Sequence, residues 1–311
     1  MKTNKILVSA FAFSIAFASF TSCSSDSGSS LPPIGGYDNA DQVAASSLKA
    51  YWPLDGNGKE SISNTSPSAT VGVTYGTGIK GQGATLTDGY LDYPSITALT
   101  TSSGSITVSV WAKLFNNKLN PATDSHISEI FNLSGSAPGN GYIGVLGETH
   151  GLITSDSIQV KGHYETLYNG NQSGGDIVNM TKMQPWMITD NDNPANLIKH
   201  VAFANKIGGQ WAHIVYVFNG ATAKNEIFVN GVNISNSPWV LRNGGTTPFN
   251  LVYASTTHPI IGARSSFIAG LAGGDAWNRP MSGGVDELRV YDKALTLAEI
   301  GALYQLELAG R

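Results

Sequence analysis

Short stretches of alternating apolar and polar residues constrain this chain more than any other feature. In "SITVSVWAKLF", Ile106, Val108, Val110, Ala112 and Leu114 fall on one face of an extended strand, because successive side chains point to opposite sides. That face belongs in a core. Runs of this kind recur from Leu48 onward: "LKAYWPL", "GYLDYP", "ISEIFNL", "YIGVLG", "WAHIVYVF", "EIFVNGV" and "PIIGA", with turn-forming residues between them. Thirty-six glycines and short apolar runs favour many strands and turns over helices, and 41% hydrophobic with 13% charged residues indicates a folded body. The expected class is all-β. Asn230-Gly231 supplies the positive φ values of a tight turn, so Ile227 to Ile234 reads as a hairpin.

One helix stands out. Thr296 and Glu299 form a Thr-x-x-Glu capping box, and Ile300, Leu303 and Tyr304 follow at helical spacing. The stretch "GTGIKG", Gly76 to Gly81, satisfies Gly-x-Gly-x-x-Gly, but "QGATLTDGYLDY" after it reads as strand, where a dinucleotide site needs a helix. Those glycines are expected to make a turn.

Residues 1–23 read as a secretion signal: Lys2 and Lys5, an apolar run from Ile6 to Phe20, then Thr21, Ser22 and the only cysteine, Cys23. A lone cysteine has no internal disulfide partner, and "FTSC" resembles the cleavage box of bacterial lipoproteins, with Phe20 in place of the usual leucine. The expected mature chain is lipidated on Cys23 and exported to the cell envelope, with the outer membrane as the expected location and the lipid as its only membrane contact. Residues 24–45, rich in Ser, Gly and Pro, read as a tether, and residues 46–311 as one domain with long loops within 116–207. Removing the signal moves the formal charge from 18 − 22 = −4 to 16 − 22 = −6. Such a balance does not attract nucleic acid by phosphate neutralisation.

Six blocks fall in a specific order: "AYWPLDGNGKES", "GQGATLTDGYLDYP", "SITVSVWAKL", "QWAHIVYVFNGATAKNEIFVNGV", "IIGARSS" and "MSGGVDELRVYDKALTLAEIGALY". Together they resemble the laminin-G-like branch of the concanavalin A-like lectin/glucanase superfamily, as found in lipoproteins of the Bacteroidota. The resemblance implies a two-sheet antiparallel jelly-roll sandwich of roughly a dozen strands with a short C-terminal helix. It also implies that Asp55 and Asp286 lie close together, where they hold a structural Ca²⁺ or else cap turns.

Asp286 and Glu287 stand side by side like a pair of catalytic acids, yet adjacent strand residues point to opposite faces. A glycosidase needs both carboxyls in one cleft. The superfamily's β-glucanases carry Glu-x-Asp-x-Glu or Glu-x-Asp-x-x-Glu, and this chain has neither. The expected function is therefore non-catalytic binding of a polysaccharide or glycan. A glycoside hydrolase or polysaccharide lyase with unusual residues, and a protein-binding envelope module, are the alternatives.

For glycan binding, an exposed aromatic ring stacks on a sugar while neighbouring polar groups bond its hydroxyls. Trp52, Trp111 and Trp211 lie in or at strands and read as core. Trp186, Trp239 and Trp277 sit among polar, turn-forming residues; Trp277 with Asp275, Asn278 and Arg279 is the richest group, and Tyr164 and Tyr168 are weaker. Each tryptophan can equally pin its loop to the sandwich. A last group is Glu148, His150, His163 and Glu165, which converge into a metal or acid–base site if their segments pair as a hairpin. Its spacing matches no specific zinc pattern.

Overall fold

The computed structural model describes residues 31–101, 103–115, 127–135, 141–149, 158–179, 207–270 and 277–311. The strands are β1 (Leu48–Trp52), β2 (Ala69–Thr77), β3 (Gln82–Asp92), β4 (Ser105–Leu114), β5 (Ile127–Ser134), β6 (Ile143–Glu148), β7 (Gln159–Tyr168), β8 (Asn171–Asn179), β9 (Trp211–Asn219), β10 (Lys224–Val229), β11 (Val232–Asn233), β12 (His258–Ile261) and β13 (Met281–Tyr291). All pair antiparallel, in the hydrogen-bonded order β11-β10-β9-β4-β13-β3-β12-β5-β6-β7-β8, with β1 added to β13 and β2 to β3. The sheet curls until its two halves face each other, the arrangement expected of a concanavalin A-like sandwich.

The core lies between the halves. Ile106, Val108, Val110, Ala112 and Leu114 all enter it, so the alternation of β4 plays out as expected. Tyr164 of β7 meets Phe218 of β9 at 4.8 Å between ring centres. Gly162, between them, lets the β7 backbone approach Tyr216: a methyl group at Gly162 would lie 2.0 Å from that ring. The β5–β8 half thus presses one face on β9 and leaves the other partly open: Lys161, Glu165 and Asp176 reach solvent, while Ser128, Glu129, Asn132 and His163 are buried.

The outer face of β4, β9 and β13 is covered. The helix Leu297–Leu308 starts at Thr296, whose side chain accepts from the Glu299 N–H while Glu299 answers to the Thr296 N–H, as the capping box predicts. Its Ile300, Leu303 and Leu306 pack on Val215, Val217 and Phe228. Residues 34–45, expected within the tether, depart from that reading. Ala40 and Val43 are buried with the helix, Arg311 O accepts from the Ala40 N–H, and Asp41 pairs with Arg289 at 2.8 Å. Two apolar side chains and an ion pair outweigh the flexible composition around them.

Beneath the helix lies a buried ionic cluster. Arg289 bonds Glu287 (2.7 Å) and Glu307, and its guanidinium stacks 3.9 Å from the Tyr51 ring centre. Trp111 Nε1 donates to Glu307 at 2.7 Å, and Tyr304 stacks on Trp111. Burial pushes the Glu307 carboxyl up to about 8 against the pull of Arg289, and pushes His213 down to about 3. The expected hairpin is present, with Asn230 and Gly231 at φ 50° and 76°.

Candidate functional site

Asp286 and Glu287 take no part in a cleft. Both are buried, and β13 is irregular here, with Glu287 at φ 48°. Glu287 joins the cluster under the helix, where Tyr51 and Arg289 donate to it. Asp286 turns to the β2–β3 hairpin, where its Oδ2 accepts from the Ile79 and Lys80 N–H groups and its Oδ1 from the Glu287 N–H. Asp55 Oδ1 accepts from the Gln82 N–H of the same turn. Gly78 and Gly81 make room for these acids, since a methyl at either would lie within 2.4 Å of a carboxylate oxygen. The segment "GTGIKG" is thus a hairpin turn held by two acids, as a turn and not a nucleotide loop.

For calcium, the same geometry is a poor fit. Asp55 Oδ1 and both oxygens of Asp286 are already engaged by backbone donors. No group of three or more His, Cys, Asp or Glu suited to a metal forms among the described residues.

The open face of β5–β8 is where chemistry gathers. Strand alternation sends Lys161, His163 and Glu165 outward while Val160 and Tyr164 enter the core. Register then places His163 opposite Asp176 on β8 and opposite Gly144 on β6, and Glu129 of β5 opposite Leu146. His163 Nδ1 meets Asp176 at 2.7 Å and its Nε2 faces Glu165 at 3.5 Å. Lys161 bridges Glu148 (3.3 Å) and Asp176 (3.1 Å). Glu129, Leu146, Lys161, His163, Asp176 and Arg264 line a cavity of about 210 Å³.

Electrostatics follow from these partners. Burial opposes a charge on His163, but the bonds and charges of Asp176 and Glu165 outweigh it and hold the imidazole up to about 9, so it is protonated at neutral pH. Asp176 is held well below the usual carboxylate range: burial would raise it, and His163 and Lys161 overcome that. Glu129 goes the other way. It is 1% exposed, and burial pushes it up to about 7 although Arg264 and the bond from Asn132 pull it down. Its Oε1 accepts from Asn132 Nδ2 at 2.9 Å, and its buried Oε2 has no hydrogen-bond partner among the described residues. Gly144 makes room for it, since a methyl there would lie 2.8 Å from Oε1.

A carboxyl whose native pKa lies above its unfolded value contributes stability at low pH that is lost as pH rises through the native pKa. Glu129→Gln keeps the volume without the ionisation. The variant is therefore expected to gain on the wild type by about 2 kcal/mol, several degrees in Tm, between pH 5 and pH 8. Thermal melts at the two pH values test this; a difference that stays constant would show that Glu129 does not titrate there.

Trp277 adjoins this cavity. Its carbonyl accepts from the Ile127 N–H at the start of β5, its ring lies 5.6 Å from the Arg264 guanidinium, and it remains 38% exposed. Asn278 is buried, donating to Ser266, and Arg279 is exposed. Trp239, in the short helix Ser237–Val240, and Tyr168, at the end of β7, instead pack half-buried on the core, Tyr168 edge-on to Phe249. Tyr164, Trp52 and Trp111 are buried, and Trp211 is half-buried. Trp186, Asp275, His150 and Cys23 lie outside the described residues.

Of the polar group read from sequence, Glu148, His163 and Glu165 do converge, since their segments pair as β6 and β7. Sequence reasoning missed Glu129, Lys161, Asp176 and Arg264. Two of them carried a usable signal: Lys161 shares the outward period of His163 and Glu165, and Glu129 is the lone acid in the apolar run "ISEIFNL".

The laminin-G-type family model described as Concanavalin A-like lectin/glucanases superfamily matches residues 84–301. No curated protein matches the sequence. Among solved structures, the chain is similar to domain 4 of AbnA, a GH43 extracellular arabinanase from Geobacillus stearothermophilus in complex with arabinotriose. There the identity is 18%, over 83% of this chain and 98% of that one, with a TM-score of 0.48. It is similar also to the binding domain of botulinum neurotoxin serotype G, at 10% identity and a TM-score of 0.50, covering 83% of this chain and 51% of the other. The chain thus spans about half the length of that toxin domain, and what the two share is the fold.

Proposed function

Since the chain belongs to the concanavalin A-like lectin/glucanases superfamily, we propose that it binds a carbohydrate on the open face of β5–β8, between Trp277 and the Glu129 cavity. The observation that carries this reading is Trp277: a large aromatic ring left 38% exposed and seated on Arg264, which itself lines a polar cavity. Stacking on a sugar face needs a ring held rigid and half-bare, and hydroxyls need charged or polar partners beside it. Both are present on one surface. Binding requires no reaction, and none is assigned to the site.

Native electrophoresis through gels containing single polysaccharides tests the proposal, with retardation of the protein by at least one as the expected result. Retardation by none of a broad plant, algal and animal panel would remove it.

We further propose that the protein works at the envelope, anchored through lipid on Cys23. Several acyl chains hold a protein stably where one binds only marginally. Cys23→Ala is expected to move the protein from the membrane to the soluble fraction and to abolish labelling by a fatty-acid analogue. Unchanged fractionation and labelling would exclude the anchor.

A further inference from the structure

Charge on the open face is laid out in a repeating order. Glu148, Lys161, Asp176, His163 and Glu165 form a chain in which each cation sits between two carboxylates, at 3.3 and 3.1 Å for Lys161 and 2.7 and 3.5 Å for His163. Both cations are thus already faced by carboxylates, though His163 Nε2 makes no hydrogen bond among the described residues. Arg264, the remaining cation of the cavity, is stacked against Trp277 and lies in the field of Glu129. An incoming carboxylate or sulfate would meet cations already faced by carboxylates, with Glu129, Asp176, Glu148 and Glu165 as repelling neighbours. An incoming ammonium would meet Arg264, Lys161 and the imidazolium of His163. Either ion would be opposed.

The cavity also holds a buried acceptor that no described group engages. Glu129 Oε2 is buried without a hydrogen-bond partner among the described residues, in a carboxyl whose other oxygen is occupied by Asn132. A buried acceptor left unmade is costly, so a ligand that brings an uncharged O–H to it recovers a full hydrogen bond. Resting on the carbohydrate reading above, we propose that the ligand is an uncharged glycan that donates one of its hydroxyls to Glu129 Oε2, making Glu129 the residue that selects it. Burial also pushes this carboxyl toward neutral pH, against the pull of Arg264 and of the bond from Asn132.

The test is retardation of the full-length protein in gels containing either uncharged polysaccharides, such as galactomannan, xyloglucan and arabinan, or acidic ones, such as polygalacturonate, alginate and carrageenan. Retardation is expected from an uncharged polysaccharide and should persist when sodium chloride is raised severalfold, since no ion pair is screened. Glu129→Gln, which places an N–H where the acceptor stood, is expected to weaken that retardation at least tenfold while the melting temperature at pH 8 rises. Retardation by acidic polysaccharides alone, lost in salt, would overturn the inference and leave carbohydrate binding standing. Retardation by neither class would overturn both, and an unweakened Glu129→Gln variant would remove Glu129 as the selecting group.

Discussion

Replacing Trp277 by alanine is expected to weaken glycan binding by roughly 30-fold, or about 2 kcal/mol, with little change in melting temperature. The two effects separate because the ring does different things in the free and bound protein. In the free protein it is 38% exposed and its ring faces Arg264 at 5.6 Å, a contact of about 0.5–1 kcal/mol at an exposed site. In the complex it would offer a whole apolar face to a sugar. Its backbone bond to Ile127 survives the substitution, so β5 keeps its start. Trp277→Phe, which retains a ring of smaller area, should recover part of the affinity. Isothermal titration with whichever polysaccharide retards the protein measures both. Full affinity in Trp277→Ala would mean that the ring only pins its loop, and the site would have to be sought elsewhere on the sandwich.

The largest loss of stability is expected from Arg289→Met. The side chain is fully buried and is shared by Glu287 and Glu307, with Asp41 at its outer end. Methionine has a similar reach but no charge, so the two carboxylates would face each other in the interior. Removing one partner of a buried ionic group typically costs about 3–5 kcal/mol, enough to lower Tm by roughly 10 °C in a domain of this size. The pH dependence has a definite sign. Without Arg289 the Glu307 carboxyl should titrate still higher than in the wild type, where burial already pushes it up to about 8. Carboxyls raised in the native state contribute stability at low pH and lose it as pH rises. The deficit of Arg289→Met should therefore shrink toward pH 5 and widen toward pH 9. A triple variant that also carries Glu287→Gln and Glu307→Gln should recover much of the loss at pH 8. A single variant that melts within a degree or two of the wild type would show that the cluster contributes little to holding the terminal helix on the sheet.

These two residues occupy opposite outer faces of the sandwich, and the division of labour is physical. On β4 and β13, Trp111 bonds Glu307 of the helix, Arg289 pairs with Asp41 before β1, Thr107 bonds Lys293 after β13 and Ser109 bonds His213 of β9. On β5–β8, Lys161, His163 and Asp176 pair with one another, and Lys161 and Asp176 remain partly exposed.

Much of this fold was legible in the chain because its signals are local. The period of two in β4, the Asn230-Gly231 turn, the capping box at Thr296 and the turn "GTGIKG" each depend on residues within a few positions of one another. Asp286 and Glu287 do part, but at an irregularity of β13 with Glu287 at φ 48°, which the regular alternation of side chains does not describe. Tertiary structure decided what local rules leave open. Asp55 and Asp286 reach one turn from positions far apart in sequence. The tether ended early because Ala40 and Val43 found a helix formed by the last residues of the chain. The candidate site is assembled from β5, β6, β7, β8 and the segment after β12, and its donors and acceptors meet only through strand order and register. Alternation tells which face a side chain takes; which other side chains share that face is set by long-range pairing, and no short stretch of sequence contains it.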